Sequence, residues 1–344
     1  MPLSCTKVES GSATATAEKK EAAPAAPAKE AAANTAAPSI VFKVGSGGSV
    51  TLPQYLAMVE VFKPMVEEKS GGRIKVELYP ASQLGDDVKL IEQLRSGSLE
   101  SAIPVPSPIV GLVPELAILD IPFLFSSNQV ADKVLDGEIG KKLDARLAEK
   151  GLINLGWGEL GFRHVTNAKR DIRTPEDLKG LKIRTQENTI HIATWKALGV
   201  NATPMPVSEV FTAIQQGAID GQENPVSAFY GWKIHEVNKH ITLTGHVYSP
   251  NTVLVSKKIW DTYDQDTKNI LMEAGKASAK RSREIARSQE SAMLKEMING
   301  GCTVIELTAE QKAQFQDATK SVWPMVEEKV GKELFAEIKS AAGL

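Results

Sequence analysis

Cysteine is nearly missing from this chain of 344 residues, which has only Cys5 and Cys302 at opposite ends. So distant a pair defines no disulfide framework. A dominant charge is missing too: 40 Lys and Arg stand against 42 Asp and Glu, a net charge of -2 with a pI near 6.3. That balance leaves no electrostatic footprint for nucleic acid or for an anionic membrane. No run of 18 apolar residues occurs, so no membrane-spanning helix is predicted. The five histidines are scattered, and His235 and His240, five positions apart, do not share a helical face as a ligand pair would. The elbow G-x-S-x-G, the loop G-x-x-x-x-G-K-[ST] and the zinc motif H-E-x-x-H are all lacking. The chain therefore reads as a protein that is not an enzyme, with no metal and no cofactor. Gly45 and Gly47 begin a dinucleotide-like fingerprint, but Val50 occupies its third glycine position. Gly47 is instead a candidate for close approach of backbone to a small ligand.

The composition is globular, 42% hydrophobic and 24% charged, with enough chain for two domains. Residues 1–39 differ: 13 alanines, three of the prolines at 24, 27 and 38, and four lysines balanced by four glutamates read as a flexible tether. Leu3-Ser4-Cys5 resembles the end of a bacterial lipoprotein signal, with Cys5 as the lipidated residue. Only four residues precede Cys5, fewer than an export signal needs, so the natural chain is expected to start upstream. Beyond the tether, Ile40–Val44 reads as a buried parallel strand and Leu52–Lys69 as a helix that Pro64 should kink or shorten. Arg73–Tyr79 alternates as a half-exposed strand. Asp86–Arg95 carries Val88, Ile91 and Leu94 on one helical face and closes at Gly97. This βαβ rhythm predicts an α/β fold with mostly parallel sheets. Asp266–Asn299 contains no proline and predicts one long helix or two abutting ones. At about 1.5 Å per residue it would span about 50 Å, enough to bridge two lobes, with Gly275 as a weak point. Cys302 reads as a small apolar residue entering a strand, and the segment from Glu310 as amphipathic helix.

The most informative stretch runs from Trp157 to Pro225. Thr174 followed by Pro175, Glu176 and Asp177 is a helix start with hydroxyl cap, first-turn proline and acids on the positive end of the dipole; Gly180 stops the helix. Leu181 and Ile183 then alternate with Lys182 and Arg184, which delivers Arg184 to the carboxyl end of a strand. In open α/β sheets ligands bind beyond those ends, and a guanidinium there is shaped to grip a carboxylate. The same logic covers Arg163, carried by Phe162–Val165, although His164 and Asp171 nearby could make it a scaffold residue. Asn224, held extended before Pro225, offers an amide free to donate and accept, or a turn residue stabilising its own backbone. Trp157, Trp195 and Trp232 read as core, one of which could wall a pocket.

In this order the motifs ELYPASQLGDD, PELAILDIPFLF, GFRHVTN, DLKGLKIRTQEN, TPMPVSEVFTAIQQGAIDGQENP and HEVNKHITLTGHVYSPNTVLVSKK resemble the DctP-type solute-binding proteins of tripartite ATP-independent periplasmic (TRAP) transporters. The resemblance covers the chain from about Ile40 to its end. It implies a two-lobed clamshell with a long helix spanning both lobes: one lobe from 40–160 plus about 250–285, the other from 161–249 plus about 286–344 with the C-terminal helices. It implies no chemistry of its own, but capture of an organic acid in the periplasm by a monomer that delivers it to the small and large membrane subunits. A sensory protein presenting its closed form to a membrane receptor is the alternative. Arg184 is implied to pair with the ligand carboxylate, supported by Arg163 and Asn224, with Asp87, Gly47, Val207 and Trp157 completing the site and the loop Pro104–Pro114 lining the cleft. Where the sialic-acid-binding branch has polar or aromatic residues, Gly47, Val105, Pro108 and Val207 are small or apolar. The expected ligand is therefore a compact or partly apolar acid: a 2-oxo or hydroxy monocarboxylate, an aromatic acid or a short dicarboxylate.

Overall fold

The computed structural model describes residues 38–344; Cys5 and nearly all of the expected tether lie outside the described residues. Strands β1 (Ile40–Gly45), β2 (Ile74–Tyr79) and β3 (Ser101–Ala102) pair in parallel about β1. Farther along the chain, β5 (Lys182–Thr185) lies parallel to both β6 (Asn201–Pro204) and β7 (Gly221–Pro225). These two parallel groups are joined by β4 (Leu152–Asn167) and β8 (His240–Ser256), long antiparallel partners. The last strand, β9 (Thr303–Glu306), pairs with β8. The result is one nine-stranded sheet in the order β2-β1-β3-β8-β4-β7-β5-β6, with β9 beside β8. Each outer group is parallel as predicted, but the centre is antiparallel and continuous, a pairing that alternation of residue types cannot reveal.

The joint between the groups is irregular. The β4–β8 register shifts three times, between Asn154 and Trp157, between Glu159 and Gly161, and between Arg163 and Val165. Such bulges bend and twist a ribbon. Gly161 sits at φ +123, where a Cβ would stand 3.3 Å from that of Pro225, a conformation that a side chain would strain. The expected lobe boundaries, between residues 160 and 161 and between 249 and 250, fall within this bent segment.

The long helix is single, Gln265–Asn299. Its first half places Ile270, Leu271 and Ala274 in a core with Phe42, Phe62 and Val253, and its second half places Met293 and Met297 in a core with Val226, Phe229 and Ile241. Gly275 is a close-contact point rather than a weak one, because a Cβ there would lie 2.3 Å from that of Leu155. Pro64 leaves the first helix unbroken: a π-turn at Met58–Phe62 precedes it, with the Lys63 N–H reaching back to the Met58 carbonyl. Cys302 is buried and free, and its thiol donates to the His235 carbonyl. One expectation needs correction. The C-terminal helices Trp323–Val330 and Lys332–Ala342 bury Val326, Phe335 and Ile338 against Leu116, Val134 and Leu143, and so pack with residues the sequence had assigned to the other lobe. Helices of this kind go wherever an apolar face remains uncovered, which only the assembled fold reveals.

Candidate functional site

A cavity of about 760 Å³, open at its mouth, lies where the carboxyl ends of the parallel strands converge on the bent middle of β4. That figure includes the open solvent at its mouth; the enclosure is a concave cleft between the two groups of strands, the setting in which small-molecule ligands bind. Gly47 and Gly48 follow β1, Ser82 and Asp87 follow β2, and Val105 and Pro108 follow β3. From the other group come Arg184 and Gln186 at the end of β5, Met205 and Val207 after β6, and Asn224 in β7. Leu160 and Arg163 of β4 line the space between them. Six of the expected site residues are thus brought together: Gly47, Asp87, Arg163, Arg184, Val207 and Asn224. Trp157 is not among them. It is buried in the core, and its indole N–H donates to Asp144 at 2.9 Å; Trp232 is the tryptophan that lines the cavity.

Arg184 is 3% exposed. Its Nε and Nη2 donate to the Met205 carbonyl at 2.9 and 2.6 Å, while Nη1 is buried without any partner. Burial lowers its pKa to about 10, which still leaves it a cation at neutral pH. A buried guanidinium whose nearest acceptor is neutral lacks the compensation that buried charges normally have.

Arg163 contrasts with it and corrects the expectation on two counts. It sits inside β4 rather than at a strand end, and its guanidinium is already engaged. Nε and Nη2 make a two-point bridge to the Glu223 carboxylate at 2.5 and 2.9 Å, and Nη2 also donates to the Glu223 carbonyl. The Gln186 amide oxygen, oriented to fit the network, accepts from Nη1 and Nη2 at 3.1 Å. Its scaffold partner is therefore Glu223 rather than His164 or Asp171. Asp171 pairs with His240 at 2.7 Å, and His164 accepts from the Gly245 N–H.

Glu223 anchors a buried network behind the cavity. His246 contacts its carboxylate at 3.1 Å and His191 at 3.5 Å; His191 in turn meets Asp120 at 3.0 Å. Asp120 accepts from Ser107 and from Asn188, whose amide also caps the helix Thr189–Ala197. Burial opposes charge on His191, but Asp120 and Glu223 outweigh it and raise its pKa to about 9. Burial likewise opposes charge on Glu223, and Arg163 and His191 outweigh it and hold the carboxyl well below its usual range. The loop between Pro104 and Pro114 thus has two roles: Val105 and Pro108 face the cavity, while Ser107 reaches into the network.

On the opposite wall, Asp87 is half-buried and opens the helix Asp87–Ser96. Desolvation pushes its pKa up to about 7 against the pull of the Val105 and Gly47 N–H groups, and neighbouring Asp86 adds to the rise. A Cβ on Gly47 would stand 2.8 Å from the Asp87 Oδ1, so glycine is what lets this loop approach the carboxylate. Ala81 and Ser82 are both left-handed, at φ 50 and 59, and their N–H groups hold the carbonyls of Gly48 and Ser46 at 2.7 and 3.0 Å. Backbone strain of about 1–3 kcal/mol per residue is tolerated where the surroundings over-determine it, here around the cavity-lining loop. Asn224 is less free than expected, since its amide N–H donates to Gln222 at 2.7 Å.

Two residues escaped the sequence reading. Glu223 stands next to Asn224 in GQENP, where a carboxylate beside a candidate site residue was the available signal. Gln54 is 4% exposed in the cavity wall, and its Oε1 is buried without a donor; nothing in Leu52-Pro53-Gln54 marks it.

A single central sheet carrying two parallel wings, with a ligand-sized cavity at their converging carboxyl ends and a long helix packed on both, defines a two-lobed solute-binding protein of the periplasmic-binding type. The chain belongs to the bacterial extracellular solute-binding proteins, family 7, which it matches over residues 45–329. A solute-binding protein of Verminephrobacter eiseniae is 41% identical over 283 residues, 82% of this chain and 84% of the relative. Among solved structures, the sugar acid binding protein of Advenella mimigardefordensis in complex with galactonate superposes with a TM-score of 0.86 at 36% identity, covering 89% of this chain and 98% of that one. A TRAP periplasmic solute-binding protein of Sulfurospirillum deleyianum with bound succinate gives 0.84 at 32% identity, covering 88% and 99%.

Proposed function

We propose that this protein captures a small organic acid anion in the periplasm and delivers it to the small and large membrane subunits of a TRAP transporter, acting as a monomer and by binding alone. The observation that carries this reading is the unpartnered Nη1 of Arg184, a buried cationic donor at the wall of a ligand-sized cavity. A carboxylate supplies the missing acceptor and the missing charge together. Asn224, Asp87, Gly47 and Val207 complete the site, and Arg163, held by Glu223, supports it from behind. Relatives with bound galactonate and succinate agree with an acid as ligand. The lobes 40–160 plus 250–285 and 161–249 plus 286–322 close about the bent segment of β4 and β8, with the C-terminal helices 323–342 riding on residues 114–149 of the first lobe. Lipidation of Cys5 would keep the receptor at the membrane. Gly47, Val105, Pro108 and Val207 offer no polar side chain to a bulky sugar acid, so sialic acid is discriminated against.

A thermal-shift screen over organic acids, followed by calorimetric titration of the best binder, tests this reading. Arg184→Ala should weaken binding at least about tenfold, since a charge-assisted pair contributes about 1.5–3 kcal/mol. Binding within twofold of the unmodified protein would refute the role given to Arg184.

A further inference from the structure

The cavity holds charges of both signs, and they are unequally engaged. Its carboxylates are Asp86, Asp87 and Glu187, and its cations are Arg163 and Arg184. Arg163 is neutralised by Glu223 in a two-point bridge. Arg184 is left as the one cation lining the cavity, among the described residues, that has no carboxylate hydrogen-bonded to it. Asp86 caps its own helix through the Lys89 N–H and Glu187 is exposed, so neither lies in the depth of the cavity. Asp87 lies deeper, against Gly47. One ligand carboxylate can therefore be matched. A second one would face Asp87 with no free cation near it, and a buried charge without a partner is strongly disfavoured.

The remaining polar groups require donors. The Gln54 Oε1 is buried and accepts from nothing, and the Asp87 carboxylate faces the cavity. Hydroxyl groups carried beyond the ligand carboxylate would satisfy Gln54 and add donors to Asp87, whereas an alkyl chain would leave Gln54 unmatched and Asp87 with only the Val105 and Gly47 N–H groups. Resting on the reading of this cavity as an organic-acid site, we propose that it selects hydroxylated monocarboxylates over dicarboxylates of the same length, with Asp87 and Gln54 reading the distal hydroxyls. The cavity charge thus narrows the ligand to one anionic group and several neutral donors, which sets the short dicarboxylates aside.

Matched pairs that differ only in oxidation of the far carbon test this directly: erythronate against meso-tartrate, and galactonate against galactarate, titrated calorimetrically at pH 8. At one length or both, the monocarboxylate should bind at least ~100-fold more tightly than its dicarboxylate. Asp87→Asn should narrow that gap ~tenfold by improving the dicarboxylate, and Gln54→Met should weaken the monocarboxylate ~tenfold while leaving its melting curve cooperative. Should either variant fail to fold, the pairs on the unmodified protein decide. A dicarboxylate binding within tenfold of its partner, or hexanoate binding as tightly as galactonate, overturns this selectivity and leaves the organic-acid reading intact. Failure of every acid in the panel, with succinate, pantoate and hexanoate included, overturns both.

Discussion

Two polar clusters lie within a few residues of each other on β4, β5 and β7, and they are built on opposite plans. Around Glu223, two cations and a carboxylate share a dry space and are held by side chains that satisfy one another: Arg163 by Glu223 and Gln186, His191 by Asp120 and Glu223, Asp120 by Ser107 and Asn188. Along the cavity wall, polar atoms equally removed from water are left incomplete, the Arg184 Nη1 and the Gln54 Oε1 among them. A saturated network needs no further partner, whereas the unsaturated one is where the proposed ligand would supply the missing acceptor and donor. Two arginines alike in the sequence thereby acquire different duties.

The contrast is broken most severely by Glu223→Gln. Removing that charge leaves Arg163 buried without a counter-ion and should cost about 3–5 kcal/mol of stability, measured by denaturant unfolding; a loss under 1 kcal/mol would mean that the network is not structural. Arg184→Lys should do the reverse, leaving unfolding nearly unchanged while reducing ligand affinity by about tenfold, because a point charge cannot reproduce the planar fork. Equal effects of the two substitutions on stability would erase the distinction.

Smaller effects sharpen it through pH. The pKa of His191 is raised from 6.5 to about 9 in the fold, so its stabilisation is complete below about pH 6.5 and is lost as pH rises through 9. The melting temperature should fall between pH 7 and 9.5, and His191→Asn, though less stable, should fall less over that range. Asp87 has the same sign from a different cause. An acid raised from 3.8 to about 7 by burial is neutral in both states below about pH 4; the destabilisation grows as pH rises from about 4 to 7, where only the unfolded chain gives up the proton, and levels off above that. Asp87→Asn should raise the ligand-free melting temperature by a few degrees at pH 8 and leave it unchanged at pH 4. A lower melting temperature at pH 8 would show that the Asp87 carboxylate is structural and belongs with the saturated cluster.

Local chemistry accounts for what was legible. Thr174 and Asp177 close their turn as their spacing predicts, with the Thr174 N–H donating to Asp177 at 2.8 Å, and Gly180 ends it at φ +79. That turn sets the short strand that brings Arg184 to the cavity, so the placement of Arg184 could be derived from a dozen residues. The placement of Arg163 could not. Its strand runs on through 16 residues, and whether its guanidinium is free depends on Glu223, 60 positions away. Trp157 was misplaced for the same reason: an indole inside a strand is apolar whichever face it takes, and Asp144 on a separate helix determined which way it faced.

By itself the sequence determined the elements, the two parallel wings, the helix long enough to reach across both, and the strand-end position of Arg184, because caps, glycine stops and alternation act within a few residues. Tertiary structure alone decided that the wings share one sheet through antiparallel β4 and β8, that Gly275 serves close packing, and that the C-terminal helices cover residues 114–149. It also decided which buried charges are matched. Pairing is a property of distance in space, and residues such as Arg163 and Glu223 or His191 and Asp120 acquire partners only when the chain has folded around them.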